Sequence, residues 1–144
     1  MNARSETAHE KSSFKKPLRY QRCLVPADGF YEWVREGSSK TPNYIQVKGG
    51  APFAFAGLYD LYKDELLSTT ILTTTPNAPM ASLHDRMPVI LSPNDYKQWL
   101  DPGVIDPNEV QPLLRPYAGE MQAYPVSRAV NSPRNNSPAL LEPV

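Results

Sequence analysis

The chain has 144 residues, enough for one domain with a single hydrophobic core. Fifteen basic and fifteen acidic residues leave no formal net charge, which removes any global field pulling it toward nucleic acid or a membrane. A single cysteine excludes an intramolecular disulfide and a multi-cysteine zinc site, and no apolar run is long enough for a membrane helix.

The opening residues Met1–Thr7 carry no start signal of their own and read as a segment entered in mid-structure. Asn2 and Arg4 would project to one face if this segment is a strand, and would be solvated if it is a loose terminus. Residues 8–20 are polar and basic with Phe14 and Leu18 at helical spacing, which predicts a short helix. Within residues 1–23, six bases (Arg4, Lys11, Lys15, Lys16, Arg19, Arg22) outnumber two acids (Glu6, Glu10). A basic edge of this kind suits a phosphate backbone, although a solvated helix carries the same pattern. His9 in this stretch is most simply solvated.

Five strand-like runs follow: 22–26, 30–35, 44–48, 53–59 and 69–74. Asp28-Gly29, Gly37-Ser38-Ser39, Gly49-Gly50 and Lys63-Asp64-Glu65 supply the turns between them. Cys23 lies in an apolar strand, where cysteine is usually a packed hydrophobe. A helical turn is expected at 77–83 and a strand at 87–91, with Pro88 at an edge or bulge. Ser92-Pro93 and Asp106-Pro107 read as capped helix starts, the first helix burying Tyr96, Trp99 and Leu100. A strand at 121–127 precedes a Pro/Asn/Ser-rich tail. These runs predict an α+β fold built on a curved, largely antiparallel, barrel-like sheet with a few short helices.

The chemistry-bearing segment is Asp28-Gly29-Phe30-Tyr31-Glu32-Trp33. Alternation along a strand puts Phe30, Glu32 and Val34 on one face and Tyr31, Trp33 and Arg35 on the other. Glu32 is then the only ionisable group on an apolar face, so it must be paired, hydrogen-bonded or protonated. His84, in His84-Asp85-Arg86-Met87-Pro88, is either a surface histidine or the partner of Glu32 in an acid–base couple. Arg86 lies two residues on, on the same strand face, where it could hold an anion beside the imidazole. Trp33 suits either the core or a platform on which bases stack.

Three segments in order, Asn2-Ala3-Arg4-Ser5-Glu6-Thr7, then 22–33 ending in Gly29-Phe30-Tyr31-Glu32-Trp33, then His84-Asp85-Arg86-Met87-Pro88, resemble the SRAP family of SOS-response-associated peptidases and abasic-site-processing proteins. The resemblance implies a single domain over 1–144 with a cleft for single-stranded DNA containing abasic sites. It also implies DNA-damage repair as the context, a cytoplasmic protein associated with the nucleoid when DNA-bound, no cofactor or metal, no membrane partner and a monomer. Family members condense an N-terminal cysteine with the aldehyde of the opened deoxyribose, closing a Schiff base to a thiazolidine that links protein to DNA. The peptidase name refers to processing of the protein's own N-terminus. Carried over by position, Asn2, Glu32 and His84 match catalytic residues, while Arg4, Trp33, Thr73 and Arg86 match DNA-binding positions. In the family the cysteine precedes the Asn-Ala-Arg-Ser-Glu segment, which here opens the chain. The resemblance thus implies a domain truncated at its N-terminus and lacking that nucleophile. A non-catalytic single-strand binding module and an inactive remnant are the alternatives.

Overall fold

The strand signals assemble into two sheets that do not close into a barrel. The computed structural model describes residues 1–144. Its elements are β1 (Asn2–Arg4), α1 (Lys15–Tyr20), β2 (Arg22–Ala27), β3 (Phe30–Glu36), β4 (Ser39–Val47), β5 (Phe53–Tyr62), β6 (Leu66–Thr74), α2 (Ala78–Ala81), β7 (Met87–Pro88), α3 (Tyr96–Leu100), α4 (Pro107–Val110) and β8 (Met121–Pro125). One sheet has the order β1-β6-β5-β2, with β7 also on β6; the other has the order β3-β4-β8. All pairings are antiparallel except β1 on β6.

Alternation along β5 divides the core. Ala56 and Leu58 point into a cluster with Leu18 of α1, Trp99 of α3 and Val110 of α4, so the short helices cover one face of the first sheet. Phe53 and Phe55 point the other way, toward Val47 of β4 and Phe30 of β3, and fill the space between the sheets. Leu100, expected inside, is 46% exposed. Trp99 alone of the residues in α3 is fully buried, and Leu100 is the last residue of the helix. Ser92 forms no side-chain cap, and the chain enters α3 through a 3-10 turn started by Pro93. Asp106 does cap α4, accepting from Asn108 N at 2.9 Å.

Residues 87–91 are the element that shapes the site. β5 and β6 are paired from Tyr62↔Leu66 to Gly57↔Ile71 and then part. The 87–91 segment enters the fork: Val89 N donates to Leu72 O of β6, while Ala56 N donates to Val89 O and Leu91 N to Ala54 O on β5. Only Met87–Pro88 forms a regular strand, because proline has no N–H and the segment changes partners there. Wedging it between two diverging strands holds residues 84–86 at the mouth of the gap.

β2 passes to β3 through Asp28-Gly29, moving the chain from one sheet to the other. A Cβ on Gly29 would lie 2.1 Å from the Tyr44 hydroxyl and 2.2 Å from its ring carbon Cζ. Tyr44 is buried and packs between Tyr31 and Tyr124 at 5.4 and 5.8 Å between ring centroids, so it has little room to yield. Gly29→Ala is expected to destabilise the fold by about 1–3 kcal/mol through overpacking, read as a lower midpoint of urea unfolding at unchanged slope.

Candidate active site

Between the two sheets, beside the β5/β6 fork, lies a cavity of about 350 Å³. β3 contributes Phe30, Tyr31 and Glu32; β1 and β6 contribute Asn2 and Thr73; the 84–88 segment contributes His84 and Arg86. Five of the seven side chains singled out in the sequence, Asn2, Glu32, Thr73, His84 and Arg86, thus meet in one place. Arg4 and Trp33 do not line it. Arg4 is exposed at the end of β1, and Trp33 points to the opposite face of β3 and lines a neighbouring chamber. Cys23 lies on β2, also outside the cavity, and Met1 lines a different cavity with Phe14 and Tyr59.

Glu32 Oε1 is 3.6 Å from His84 Nε2, within ion-pair reach and slightly too long for a direct hydrogen bond. Phe30 and Phe55 pack edge to face at 5.7 Å and form part of the apolar lining. Burial in this setting pushes the Glu32 carboxyl above the usual carboxylate range. The nearby Asp85 charge adds to the rise, while the His84 charge and the Trp33 backbone oppose it.

The imidazole is oriented by its own loop. Arg86 N–H lies 3.1 Å from His84 Nδ1 and donates to it when that nitrogen carries a lone pair, while Nε2 faces Glu32. Asp85 Oδ1 and Arg86 O, each 3.2 Å from Nδ1, can accept from that nitrogen when the ring is doubly protonated. The ring therefore has hydrogen-bond partners in both charge states, as a group that gains and loses a proton requires.

Arg86 departs from the expected placement. Residues 84–86 are a loop, so His84 and Arg86 do not share a strand face. The guanidinium instead forms a two-pronged ion pair with Glu6, Nη1 to Oε1 at 2.9 Å and Nη2 to Oε2 at 2.8 Å, and Nη2 also donates to Thr73 O at 2.9 Å. Arg86 Nε is buried without a partner. The Arg86 hydrogen bonds hold the Glu6 carboxyl below its ordinary range. Sequence reading missed Glu6 because it stands 80 residues from Arg86 and its charge looked like part of a solvated terminus. Glu6→Gln removes the competing charge and keeps a similar shape. If Arg86 takes a phosphate, as the family resemblance implies, the substitution is expected to tighten binding of a single-stranded oligonucleotide about two- to fivefold at low salt, the size of a partly exposed ion pair, with the gain fading as salt rises. Fluorescence anisotropy across a salt series measures this.

No group of three or more His, Cys, Asp or Glu side chains is placed so that it could hold a metal ion. The cavity offers acid–base groups, an amide and a cation, all suited to an electrophilic carbon flanked by anionic oxygens.

The sequence profile of the SOS response associated peptidase (SRAP) family matches residues 1–133. The abasic site processing protein YoqW of Bacillus subtilis is 51% identical over 148 residues, covering 99% of this chain and 66% of the relative. The abasic site processing protein HMCES of Xenopus tropicalis is 36% identical, covering 95% of this chain and 48% of the relative. A crystal structure of a protein from Bacteroides thetaiotaomicron superposes with a TM-score of 0.86 at 35% identity, over 99% of this chain and 65% of that one. The chain thus spans just under two thirds of the length of these bacterial relatives.

Proposed function

The chain belongs to the SOS response associated peptidase (SRAP) family, and from that membership we propose that it processes abasic sites in single-stranded DNA, with Glu32 and His84 moving the protons of imine chemistry at the sugar aldehyde. The single observation that carries this reading is the Glu32–His84 contact of 3.6 Å inside a partly apolar cavity.

Opening an abasic deoxyribose exposes an aldehyde. An amine adds to its carbon, and the resulting carbinolamine must gain a proton on its hydroxyl before water can leave. A carboxyl whose affinity for a proton is raised by burial can still give that proton at a pH where an ordinary carboxyl has already lost its own. The imidazole, when doubly protonated, can then pass its Nε2 proton to the carboxylate and keep the other on Nδ1, where Asp85 Oδ1 and Arg86 O can accept it. Asn2 lines the same cavity and supplies an amide able to hold the sugar or the attacking amine. Arg86 and the exposed Arg4 would take the flanking phosphates, with Thr73 bracing Arg86 through its carbonyl and hydroxyl. In the family's scheme the amine and thiol belong to an N-terminal cysteine, and thiol addition to the imine carbon closes a thiazolidine. Cys23, held in β2 away from the cavity, does not serve as that group.

The test uses the protein extended ahead of Met1 by a family N-terminal segment that begins with cysteine. A heat-stable protein–DNA adduct is expected on a single-stranded oligonucleotide with one abasic site, and none on the intact oligonucleotide. A folded, extended protein that forms no adduct would contradict the reading. Salt-sensitive binding that survives both Glu32→Ala and His84→Ala, with no adduct, would point to a non-catalytic binding module.

A further inference from the structure

Where the chain leaves the 87–91 segment, a separate cavity of about 260 Å³ opens. Ile90 and Leu113 give it apolar walls, while Lys48, Ser92, Arg115 and Tyr117 line it with polar groups. None of these residues lines the Glu32 cavity or the chamber beside Trp33. The Tyr117 hydroxyl is buried without a hydrogen-bond partner. It lies against Gly119, another wall residue, where a Cβ would come within 2.3 Å of the oxygen. Burial, with the Glu120 charge nearby, holds the phenol above its ordinary range, so it keeps its proton and can donate. A buried donor without an acceptor lowers stability, and this one stands at a cavity wall.

Lys48 brings the charge. Its φ is 47°, and Gly49 and Gly50 follow at 67° and 93°. A left-handed run of this kind suits glycine throughout, and a side chain at its first position is strained. The lysine that stands there lines the cavity and forms no ion pair. Arg115 contributes less, because its Nη2 donates to Asp95 Oδ2 at 2.9 Å and its Nη1 to Pro112 O at 3.0 Å. Glu120 does not line the cavity, so Lys48 is the uncompensated charge. One free cation, a phenol donor and the Ser92 hydroxyl, which caps no helix, thus stand beside apolar walls. That is the chemistry of an oxyanion carried on an apolar body, and the modest volume limits that body to a small one.

We propose that this cavity binds a small organic anion, a carboxylate or a phosphate monoester, with its oxygens on Lys48 and the Tyr117 hydroxyl and its apolar body against Ile90 and Leu113. The site is separate from the Glu32 cavity, and the proposal stands or falls independently of the abasic-site reading.

The experiment follows amide resonances of the isotope-labelled chain during titration with phenyl phosphate, phenylacetate, benzyl alcohol and inorganic phosphate. Saturable shifts confined to the amides of Lys48, Ser92, Tyr117 and Gly119 and their neighbours are expected from phenyl phosphate or phenylacetate, and the tighter of the two identifies the oxyanion. Benzyl alcohol keeps the ring without the charge, and inorganic phosphate keeps the charge without the ring; each should bind at least about tenfold more weakly. Tyr117→Phe should weaken the preferred anion about tenfold, the worth of one hydrogen bond to a charged group. Lys48→Gly removes the cation and the left-handed strain together. It should weaken the anion about five- to tenfold while its thermal melt matches the parent's or rises, a pairing that a merely structural lysine would not give. No saturable shift at those amides from either anion, or unchanged affinity in both variants, would overturn the proposal. An intact single-stranded oligonucleotide that moved the same amides and displaced the anion would also overturn it, by assigning the cations to DNA.

Discussion

Glu32→Gln is expected to slow adduct formation on an abasic oligonucleotide by about 10²- to 10⁴-fold in the cysteine-extended protein, the usual worth of a positioned general acid. Oligonucleotide affinity should stay within about threefold, because glutamine preserves the shape and Arg86 and Arg4 are untouched. Single-turnover kinetics with saturating protein separate the two effects. The same substitution is expected to stabilise the fold. Burial raises the carboxyl's affinity for its proton in the folded state, so the native protein pays a penalty when Glu32 ionises. That penalty is absent below the ordinary carboxylate range, where both folded and unfolded states are protonated. It grows as pH rises through the raised value. Glu32→Gln should therefore melt a few degrees higher than the parent at pH 7–8, with the difference closing as pH falls below about 4. A variant that loses rate while gaining stability identifies a group kept for chemistry.

Replacing Arg22 gives the largest effect on the fold itself. Its five N–H donors all reach backbone carbonyls: Nε to Trp99 at 2.6 Å, Nη1 to Leu18 at 2.9 Å and Arg19 at 3.0 Å, Nη2 to Asp101 at 2.8 Å and Val104 at 2.7 Å. The guanidinium also lies 5.5 Å from the Trp99 ring centroid, and Trp99 Nε1 donates to Cys23 O at 2.9 Å. Arg22 thus satisfies carbonyls at the ends of α1 and α3, which would otherwise lack partners, and fastens both helices to β2. Arg22→Met keeps much of the side-chain length and removes every donor. It is expected to cost about 3 kcal/mol or more and lower the melting temperature by about 10 °C. A thermal melt shifted by less than about 3 °C would show that the helix ends are satisfied without it.

Arg22 also shows where sequence reading stopped. In the sequence it is one of six bases near the N-terminus, a candidate for phosphate contact. In the structure it has no donor left for a phosphate, because all five reach carbonyls, three of them 77 to 82 residues away. Linear charge counts cannot distinguish a cation facing solvent from one that holds two helix ends. Glu6 was hidden for the same reason. Glu32 was legible because its neighbours state its surroundings. Two-residue alternation is a local rule, and it put a carboxylate on the face shared with Phe30 before any fold was known. The 87–91 segment was legible as a strand and not as a wedge, since the parting of β5 and β6 depends on both strands at once.

The pH dependence of the single-turnover adduct rate tests most directly whether Glu32 and His84 work on an abasic aldehyde. The rate of the cysteine-extended protein should rise as the attacking amine loses its proton and then fall as Glu32 loses its own, at a pH above the ordinary carboxylate range. Glu32→Gln should show a much lower rate without that descending limb. A descending limb of the same position and depth in both proteins would place the acid elsewhere and contradict the account.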